Sequence, residues 1–287
     1  MNEVDGGANR KAIAKFIKRM PSLSTTVGKV MEICSRTDAS PNELNKVISL
    51  DPVLTGQVLK LINSAYYSLM NKVTSLTRAI TMLGMNTVKN MALSTAIIRS
   101  VSGVKKSKTL PTKKFWAHSI GTAVCAKLLA KANGVPVMEC EEYFVAGLLH
   151  DLGKIPFGDE YIDVLNRVME ERLPLITLER EMLGVDHQEV GRQIAEKWKL
   201  NEVMTSTIGF HHDVEAAPEE HRVRVAYVGL ANIYANVLDL GYAGDPFPDI
   251  DGAGKMLEIT GLTWDMFGEI AVSVESEIEK AQVFLQT

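Results

Sequence analysis

Apolar residues recur at three- and four-residue intervals along most of the chain, the spacing that aligns side chains on one face of an α-helix. Leu54, Val58 and Leu61 are one example, and the Asp51 and Pro52 that precede them are typical first residues of a helix. The first hundred residues show no convincing alternation of apolar and polar positions, which a half-buried β-strand would require. The pattern therefore predicts an all-α protein, built as a compact helical bundle.

A polar and basic segment interrupts this pattern between Ser100 and Thr112 and contains Gly103 and Pro111. Such an interruption is the best candidate for a boundary between two packed units. We therefore predict an N-terminal helical lobe over residues 1–105 and a second helical lobe over residues 106–287.

The composition is that of an ordinary globular protein, with 46% apolar residues, 23% charged residues and a formal net charge of −4. This charge excludes a general polyanion binder. One local basic segment is explained most simply as a solvated surface, with the acidic segment beyond Ala243 as a source of salt-bridge partners. The alternative is a surface that binds a nucleotide or nucleic acid, although nucleic acid is not an expected partner. The basic residues are Arg99, Lys105, Lys106, Lys108, Lys113 and Lys114.

The cysteines and the N-terminus bear on cellular location. Cys34, Cys125 and Cys140 lie far apart in the sequence, which is typical of reduced thiols in a cytoplasmic protein. No run of eighteen apolar residues is present, and Glu3 and Asp5 fall where a signal peptide would be basic and then apolar. We expect a cytoplasmic protein that does not bind membranes.

His150 and Asp151 close an apolar helical pattern and are followed at once by Gly153 and Lys154. Neutral imidazole and carboxylate are common ligands of zinc, iron, manganese and nickel, and a carboxylate can bridge two cations. Taken alone, the pair has an equally good structural explanation, in which Asp151 accepts a hydrogen bond or caps the turn. The positions of the other histidines favour the ligand interpretation.

Five of the six histidines, all except His221, lie at helix ends or within core-facing helices of the second half. Asp186 and Glu189 flank His187 in the pattern of a capping box, which predicts that His187 lies at a helix N-terminus. The helix dipole there disfavours a protonated imidazole, which suits a metal ligand and would equally suit an exposed residue beside the cap. If the five side chains converge with Asp151 in space, they can form a metal site.

The order of these residues resembles the HD superfamily of metal-dependent phosphohydrolases, and most closely the HD-GYP cyclic-dinucleotide phosphodiesterases. The resemblance implies that the first histidine, the His-Asp pair and a late aspartate hold one metal. It also implies that the intermediate histidines hold a second metal, bridged to the first by Asp151, and that Asp151 and Lys154 are catalytic if the protein is active. The matching residues are His118, His150, Asp151, Lys154, His187, His211 and His212.

The first half of the chain narrows the resemblance. Three separated segments, with Leu83-Gly84 after them, are similar to the HDOD family, whose domains are HD-related modules of bacterial signalling proteins. The similarity extends over about residues 15 to 240 and implies that the two lobes form one HDOD unit, in which the second lobe is HD-GYP-like. The segments are residues 48–54 (ISLDPVL), 59–67 (LKLINSAYY) and 75–80 (SLTRAI).

Two departures from the HD-GYP pattern bear on activity. Asn232 stands where the late aspartate is expected, and a neutral amide weakens a site for a hard cation. The Gly-Tyr-Pro loop expected after the paired histidines is absent, because His211-His212-Asp213 is followed by residues 214–218 (VEAAP).

The resemblance therefore implies a bacterial regulatory module that binds one or two divalent transition metal ions without robust catalysis. Iron, manganese, nickel and zinc are all compatible with histidine-rich ligation. Other signalling proteins are the expected partners, with a nucleotide or phosphate as a further ligand. The alternative is a metal-dependent phosphohydrolase or phosphodiesterase that acts on a nucleotide or a cyclic dinucleotide.

Overall fold

The structure is a computed structural model that describes residues 6–102 and 109–286. These residues contain α-helices and short 3-10 turns but no β-strand, so the predicted all-α fold is confirmed. The helices are α1 (Gly6–Arg19), α2 (Thr25–Ser35), α3 (Pro41–Ile48), α4 (Pro52–Ile62), α5 (Leu76–Ser102), α6 (Thr112–Ala132), α7 (Val137–Leu149), α8 (Tyr161–Glu171), α9 (Leu175–Leu183), α10 (His187–Lys197), α11 (Glu202–Phe210), α12 (Arg222–Val237), α13 (Ala253–Thr260) and α14 (Trp264–Ala281).

Several helix boundaries fall where local sequence signals predict them. Ser40 and Glu43 form a complete capping box at the start of α3. The Asp51 carboxylate accepts hydrogen bonds from the backbone N–H groups of Val53 and Leu54 at the start of α4. Gly84 has φ +82°, a backbone conformation that glycine adopts readily, and it divides α5 into two helical parts.

The first helix packs on the second half of the chain rather than on its neighbours in sequence. Arg10 pairs with Glu189 at 3.0 Å, and the Lys197 ammonium donates to the carbonyl oxygen of Met20 at 2.7 Å. The capping box predicted around His187 is consequently only half formed. Asp186 accepts from the Glu189 N–H at 2.8 Å, but the Glu189 carboxylate is bound to Arg10 instead of reaching back to Asp186.

Helix α6 is the central element of the second half, because α7, α12 and α14 all pack against it. Its side chains are buried around most of its circumference. At the other end of the chain, Phe284 packs against Tyr66 and Phe144, with ring centroids 5.2 and 4.8 Å apart. The last residues therefore tie the early helices to the helical core around α6.

Two sequence predictions fall partly outside the described residues. The predicted lobe boundary at residues 105–106 lies outside the described residues, as do Lys105, Lys106 and Lys108 of the basic segment. The lobe boundary and the role of the basic segment therefore stay predictions. Lys113 and Lys114 are exposed at the start of α6. Over residues 6–102 and 109–286, none of the helices combines the length and the hydropathy that crossing a bilayer requires.

Candidate metal centre

Five helices place their functional side chains at one point in the core. His118 lies on α6, His150 and Asp151 follow α7, and His187 is the first residue of α10. The remaining three positions are His211 and His212, which follow α11, and Asn232, which lies on α12. The structure thus brings together all the histidines that the sequence singled out, and it leaves His221 apart, hydrogen-bonded to Ser206.

Asp151 stands between two groups of imidazoles. Its Oδ2 atom lies 3.3 Å from His150 Nε2 and 3.7 Å from His118 Nε2. Its Oδ1 atom lies 3.6 Å from His187 Nε2 and 3.7 Å from His211 Nε2. One carboxylate therefore faces a different set of ring nitrogens with each of its oxygens, which is the arrangement a bridging ligand needs.

The side chains form two clusters of potential ligand atoms. In the first, atoms of His118, His150 and Asp151 lie within 4.8 Å of one another. In the second, atoms of His187, His211 and His212 satisfy the same distance. Three nitrogen or oxygen donors at such separations can surround one cation of the size of zinc or iron.

Several of these donor atoms are buried without a hydrogen-bond partner. His150 Nε2, Asp151 Oδ1 and His212 Nε2 all lack one. Buried polar atoms are nearly always hydrogen-bonded, because an unpartnered one loses its hydration without compensation. Donors left unpaired on both sides of Asp151 are what a cation site contains, so the residues present fit the implied metal.

Hydrogen bonds on the far side of three rings fix their tautomers. His150 Nδ1 and His211 Nδ1 donate to backbone carbonyl oxygens, of Gly147 at 2.6 Å and Ile208 at 3.1 Å. His187 Nδ1 donates to Glu179 Oε2 at 2.6 Å. Because the proton sits on Nδ1 in each ring, the lone pair of Nε2 faces the centre, as metal-ligating histidines require.

Burial keeps three of the five imidazoles neutral near pH 7. Loss of hydration lowers the pKa of His118 to about 3, with His150 and Lys154 adding to the effect against the opposing charge of Asp151. The pKa values of His211 and His212 are well below the ordinary value because the rings are buried and close to other histidines. Because these three rings are neutral near pH 7, they do not compete for a cation by carrying a positive charge of their own.

Lys154 is itself buried, and its ammonium lies 2.8 Å from Asp151 Oδ2. Burial alone would raise the pKa of Asp151, but His150 and Lys154 outweigh that effect and hold it well below its usual range. Asp151 is therefore an anion, and Lys154 is its hydrogen-bonded counter-charge. The other oxygen, Oδ1, has no hydrogen-bond donor.

Asn232 occupies the position where the resemblance implies a carboxylate. Its Oδ1 atom lies 3.0 Å from His118 Nε2 and accepts a hydrogen bond from Asn236 at 3.1 Å. The amide can supply an oxygen to the first cluster but brings no charge. The first cluster therefore contains a single carboxylate, Asp151.

Sequence reasoning missed Glu179, which is fully buried on α9. One of its oxygens accepts from both the Nδ1 and the backbone N–H of His187, and the other accepts from the Tyr161 hydroxyl. Glu179 lies four residues from both Leu175 and Leu183, on the apolar face of its helix. A charged residue on an apolar face was the signal that could have identified it.

The segment after α12 covers the centre, and sequence reasoning also missed its acidic residue. The Tyr242 N–H donates to the Lys114 carbonyl oxygen at 2.9 Å, and Gly241, with φ +79°, packs on the backbone of α6 at His118. Asp245 is buried, accepts from the Leu175 N–H at 3.2 Å, and has no partner at Oδ2. Of the cluster residues only His212 is more than slightly exposed. The centre is therefore enclosed by protein.

The HDOD domain family model matches residues 20–214. The chain belongs to the HDOD family. A curated relative, an uncharacterized protein of Treponema pallidum (strain Nichols), is 28% identical over 232 residues. These residues are 79% of this chain and 44% of the relative, so the chain spans less than half of that protein.

Solved structures share the fold of this HDOD chain. An HDOD domain protein of unknown function from Geobacter sulfurreducens superposes with a TM-score of 0.77 at 28% identity, over 97% of this chain and 98% of that one. A protein of Shewanella amazonensis SB2B, named provisionally as a phosphohydrolase, superposes with a TM-score of 0.71 at 22% identity, over 95% of this chain and 98% of that one. A Marinobacter aquaeolei VT8 protein, named provisionally for signal transduction, superposes with a TM-score of 0.73 at 21% identity, over 99% of this chain and 67% of that one. The last two, at these identities, show a common fold.

Proposed function

We propose that this HDOD protein is a bacterial regulatory module that holds one or two divalent transition metal ions in its buried His-Asp centre and acts without robust turnover. The observation that carries the proposal is Asp151, whose two oxygens face separate groups of buried imidazoles in which several donors have no partner. The proposed ligands are His118, His150, Asp151, His187, His211 and His212, with the Asn232 amide beside His118.

These ligands indicate the class of metal but not which metal of that class is bound. Five imidazoles with one carboxylate suit iron, manganese, nickel or zinc better than calcium or magnesium, which prefer oxygen ligands. Either a mononuclear or a dinuclear centre is compatible with the two clusters, because Asp151 belongs to the first and its Oδ1 atom also lies 3.6 and 3.7 Å from His187 and His211 of the second.

Three features favour a role without turnover. The enclosed centre offers a phosphate ester little access to the ligand atoms. The amide of Asn232 leaves one carboxylate where the resemblance implies two. Finally, Lys154 is already engaged with Asp151 at 2.8 Å, so it is not free to contact a substrate. Such a module acts by binding other signalling proteins in the cytoplasm, which we include in the proposal.

The second candidate function is a metal-dependent phosphohydrolase or phosphodiesterase that acts on a nucleotide or cyclic dinucleotide. Its support is the complete set of histidines together with Asp151 and Lys154. A bound metal would supply Lewis acidity toward a phosphate oxygen. In that function Asp151 would orient the metal site, and the Lys154 ammonium would have to leave Asp151 to neutralise charge on the phosphate.

Metal analysis of protein purified without an affinity tag tests the proposal. We expect about one or two equivalents of a transition metal that survive mild dialysis, and less than a tenth of that in Asp151→Asn. His221→Gln, which changes a buried histidine outside the centre, should retain the wild-type content. Metal-free wild-type protein, or equal loss in both variants, would refute metal binding. Hydrolysis of a phosphodiester with added manganese, lost in Asp151→Asn, would establish the second candidate instead.

A further inference from the structure

A cavity lies between the early helices and the helices that lead to the metal centre. It has a volume of about 180 Å³ and is bordered by α2 and α5 on one side and by α7, α11 and α12 on the other. Leu93, Ala146 and Met204 contribute apolar wall, and Lys89, Glu142 and Arg224 contribute charge. We refer to it as the interhelical cavity. It is separate from the His-Asp cluster, none of whose residues lines it.

The charged side chains that line the interhelical cavity are not balanced. Glu142 lies 3.0 Å from the Arg224 guanidinium and 3.8 Å from the Lys89 ammonium, so one carboxylate serves two cations. The Arg224 guanidinium also stacks on the Tyr143 ring, 4.0 Å from its centroid, which holds it in place. One positive charge in the wall is therefore uncompensated, and a monoanion would neutralise it.

Asn90 adds an unpartnered donor to the same wall. This side chain is only 4% exposed, and its Nδ2 group has no hydrogen-bond partner. Because a buried amide N–H normally has an acceptor, its absence here indicates a position for the oxygen of a ligand. Asn90 lies next to Lys89 in α5, so the amide and the ammonium line the same cavity.

The size and lining of the cavity define the rest of the ligand. An apolar cavity of about 150 Å³ holds a benzene molecule, so about 180 Å³ has room for a six-membered ring and a carboxylate. Inorganic phosphate is a mixture of monoanion and dianion at neutral pH and has no apolar part, so it would leave the apolar wall without contacts. A monocarboxylate satisfies both the uncompensated charge and the apolar surface.

We infer that the interhelical cavity binds a small monocarboxylate with an apolar body, of about the size of benzoate. The carboxylate receives hydrogen bonds from Asn90, Lys89 and Arg224, and the apolar body contacts Leu93 and Met204. This site is independent of the proposed metal function. It nevertheless adjoins the centre, because Ala146 lies one helical turn before His150, and Thr207, also in the wall, lies one turn before His211.

Cys34 provides a direct test, because it lines the interhelical cavity and is half-buried, whereas Cys125 and Cys140 are buried elsewhere. The probe is benzoate, and the readout is the rate at which iodoacetamide alkylates Cys34, followed by peptide mass spectrometry. At ten times its dissociation constant, benzoate should slow alkylation about tenfold, since only the free protein reacts. Benzyl alcohol lacks the negative charge and inorganic phosphate lacks the apolar body. Each should therefore bind at least about tenfold more weakly than benzoate and protect Cys34 less at equal concentration.

Three variants locate the site. Lys89→Gln, Arg224→Gln and Asn90→Leu should each weaken protection by benzoate about fivefold to thirtyfold, in line with the loss of one charge-assisted or buried hydrogen bond. Arg192→Gln, which removes an exposed arginine paired with Glu196, should leave it unchanged. If Arg224→Gln does not fold, the other two variants carry the test. Absence of protection by benzoate, equal protection by benzyl alcohol or phosphate, or equal effects of Arg192→Gln and Lys89→Gln would overturn the inference.

Discussion

Glu179 Oε2 lies 2.6 Å from His187 Nδ1 and accepts the backbone N–H of the same residue at 2.9 Å. A single buried oxygen thus fixes both the tautomer of the ring and the position of the helix that begins there. Such an acid beside a ligating histidine increases the basicity of the other ring nitrogen and orients it toward the metal.

The first prediction concerns this contact. Glu179→Gln should weaken metal binding about 10- to 100-fold, because the neutral amide no longer orients and polarises His187. Chelator competition followed by metal analysis measures the change, and circular dichroism checks the helical content. Glu181→Gln, on the same helix but exposed and paired with Arg167, is the matched control. Wild-type affinity in Glu179→Gln would show that His187 does not need this partner.

The second prediction concerns the missing carboxylate. Asn232→Asp places a charge 3.0 Å from His118 Nε2. It should tighten metal binding about tenfold or more, which is about 1.4 kcal/mol, and should lower the melting temperature of the metal-free protein, because two buried carboxylates then repel. Asn166→Asp, at an exposed position on α8, should do neither. If metal affinity and the melting temperature of the metal-free protein both rose, or both fell, in Asn232→Asp, the placement of Asn232 at the centre would be contradicted.

The third prediction concerns Lys154, which compensates Asp151 inside the core. In metal-free protein, Lys154→Met should reduce the free energy of unfolding by about 3–5 kcal/mol, because it leaves a buried charge unpaired. Added metal should restore stability to this variant more than to the wild type, since the cation replaces the lost ammonium. Urea unfolding with and without metal measures both values. If added metal stabilised Lys154→Met and the wild type equally, the cation and the Lys154 ammonium would not share a position beside Asp151.

The fourth prediction concerns pH. The pKa of His118 is lowered to about 3 in the folded protein, whereas an unfolded histidine titrates near 6.5. Between these values the unfolded chain binds more protons, so folding stability is lost as the pH falls below 6.5, at up to about 1.4 kcal/mol per pH unit for each such histidine. Urea unfolding of metal-free protein from pH 7 to pH 4 shows the slope. His118→Gln should reduce it, and an unchanged slope would mean that other groups dominate.

The fifth prediction concerns Gly153, between Asp151 and Lys154. A Cβ atom at this position would overlap the carbonyl oxygen of His187 and lie 2.6 Å from the Gly191 nitrogen. Gly153→Ala should therefore push α10 away from Asp151, costing about 1–3 kcal/mol of stability and most of the metal. Gly254→Ala, where a Cβ atom meets open space, should be neutral or slightly stabilising. Metal analysis and urea unfolding of both variants decide the comparison.

The local features of this protein could be predicted because the interactions that form them lie within a few residues. The Ser40–Glu43 capping box, the Asp51 cap and the break at Gly84 each depend on hydrogen bonds or backbone angles of neighbouring residues. The periodicity of apolar residues likewise sets the helices, so the all-α fold follows from sequence patterns alone.

The residue types of the centre were also present in the sequence, but their arrangement was not. Distant helices bring His118, Asp151 and His211 together, and no local rule sets the distances between them. The capping box at Asp186 shows the limit of local reasoning. Its motif is complete in sequence, yet Arg10, more than 170 residues earlier, binds Glu189 and leaves the box half formed.

Glu179, Asp245 and the charge of the interhelical cavity were decided by the tertiary structure alone. Each depends on burial, and burial depends on which helices pack together. A carboxylate or an amide costs little on an exposed helix and a great deal in the core, where it must find a partner. The sequence therefore determined the helices and the kinds of ligand in this protein, whereas packing decided which polar groups were left facing one another without water.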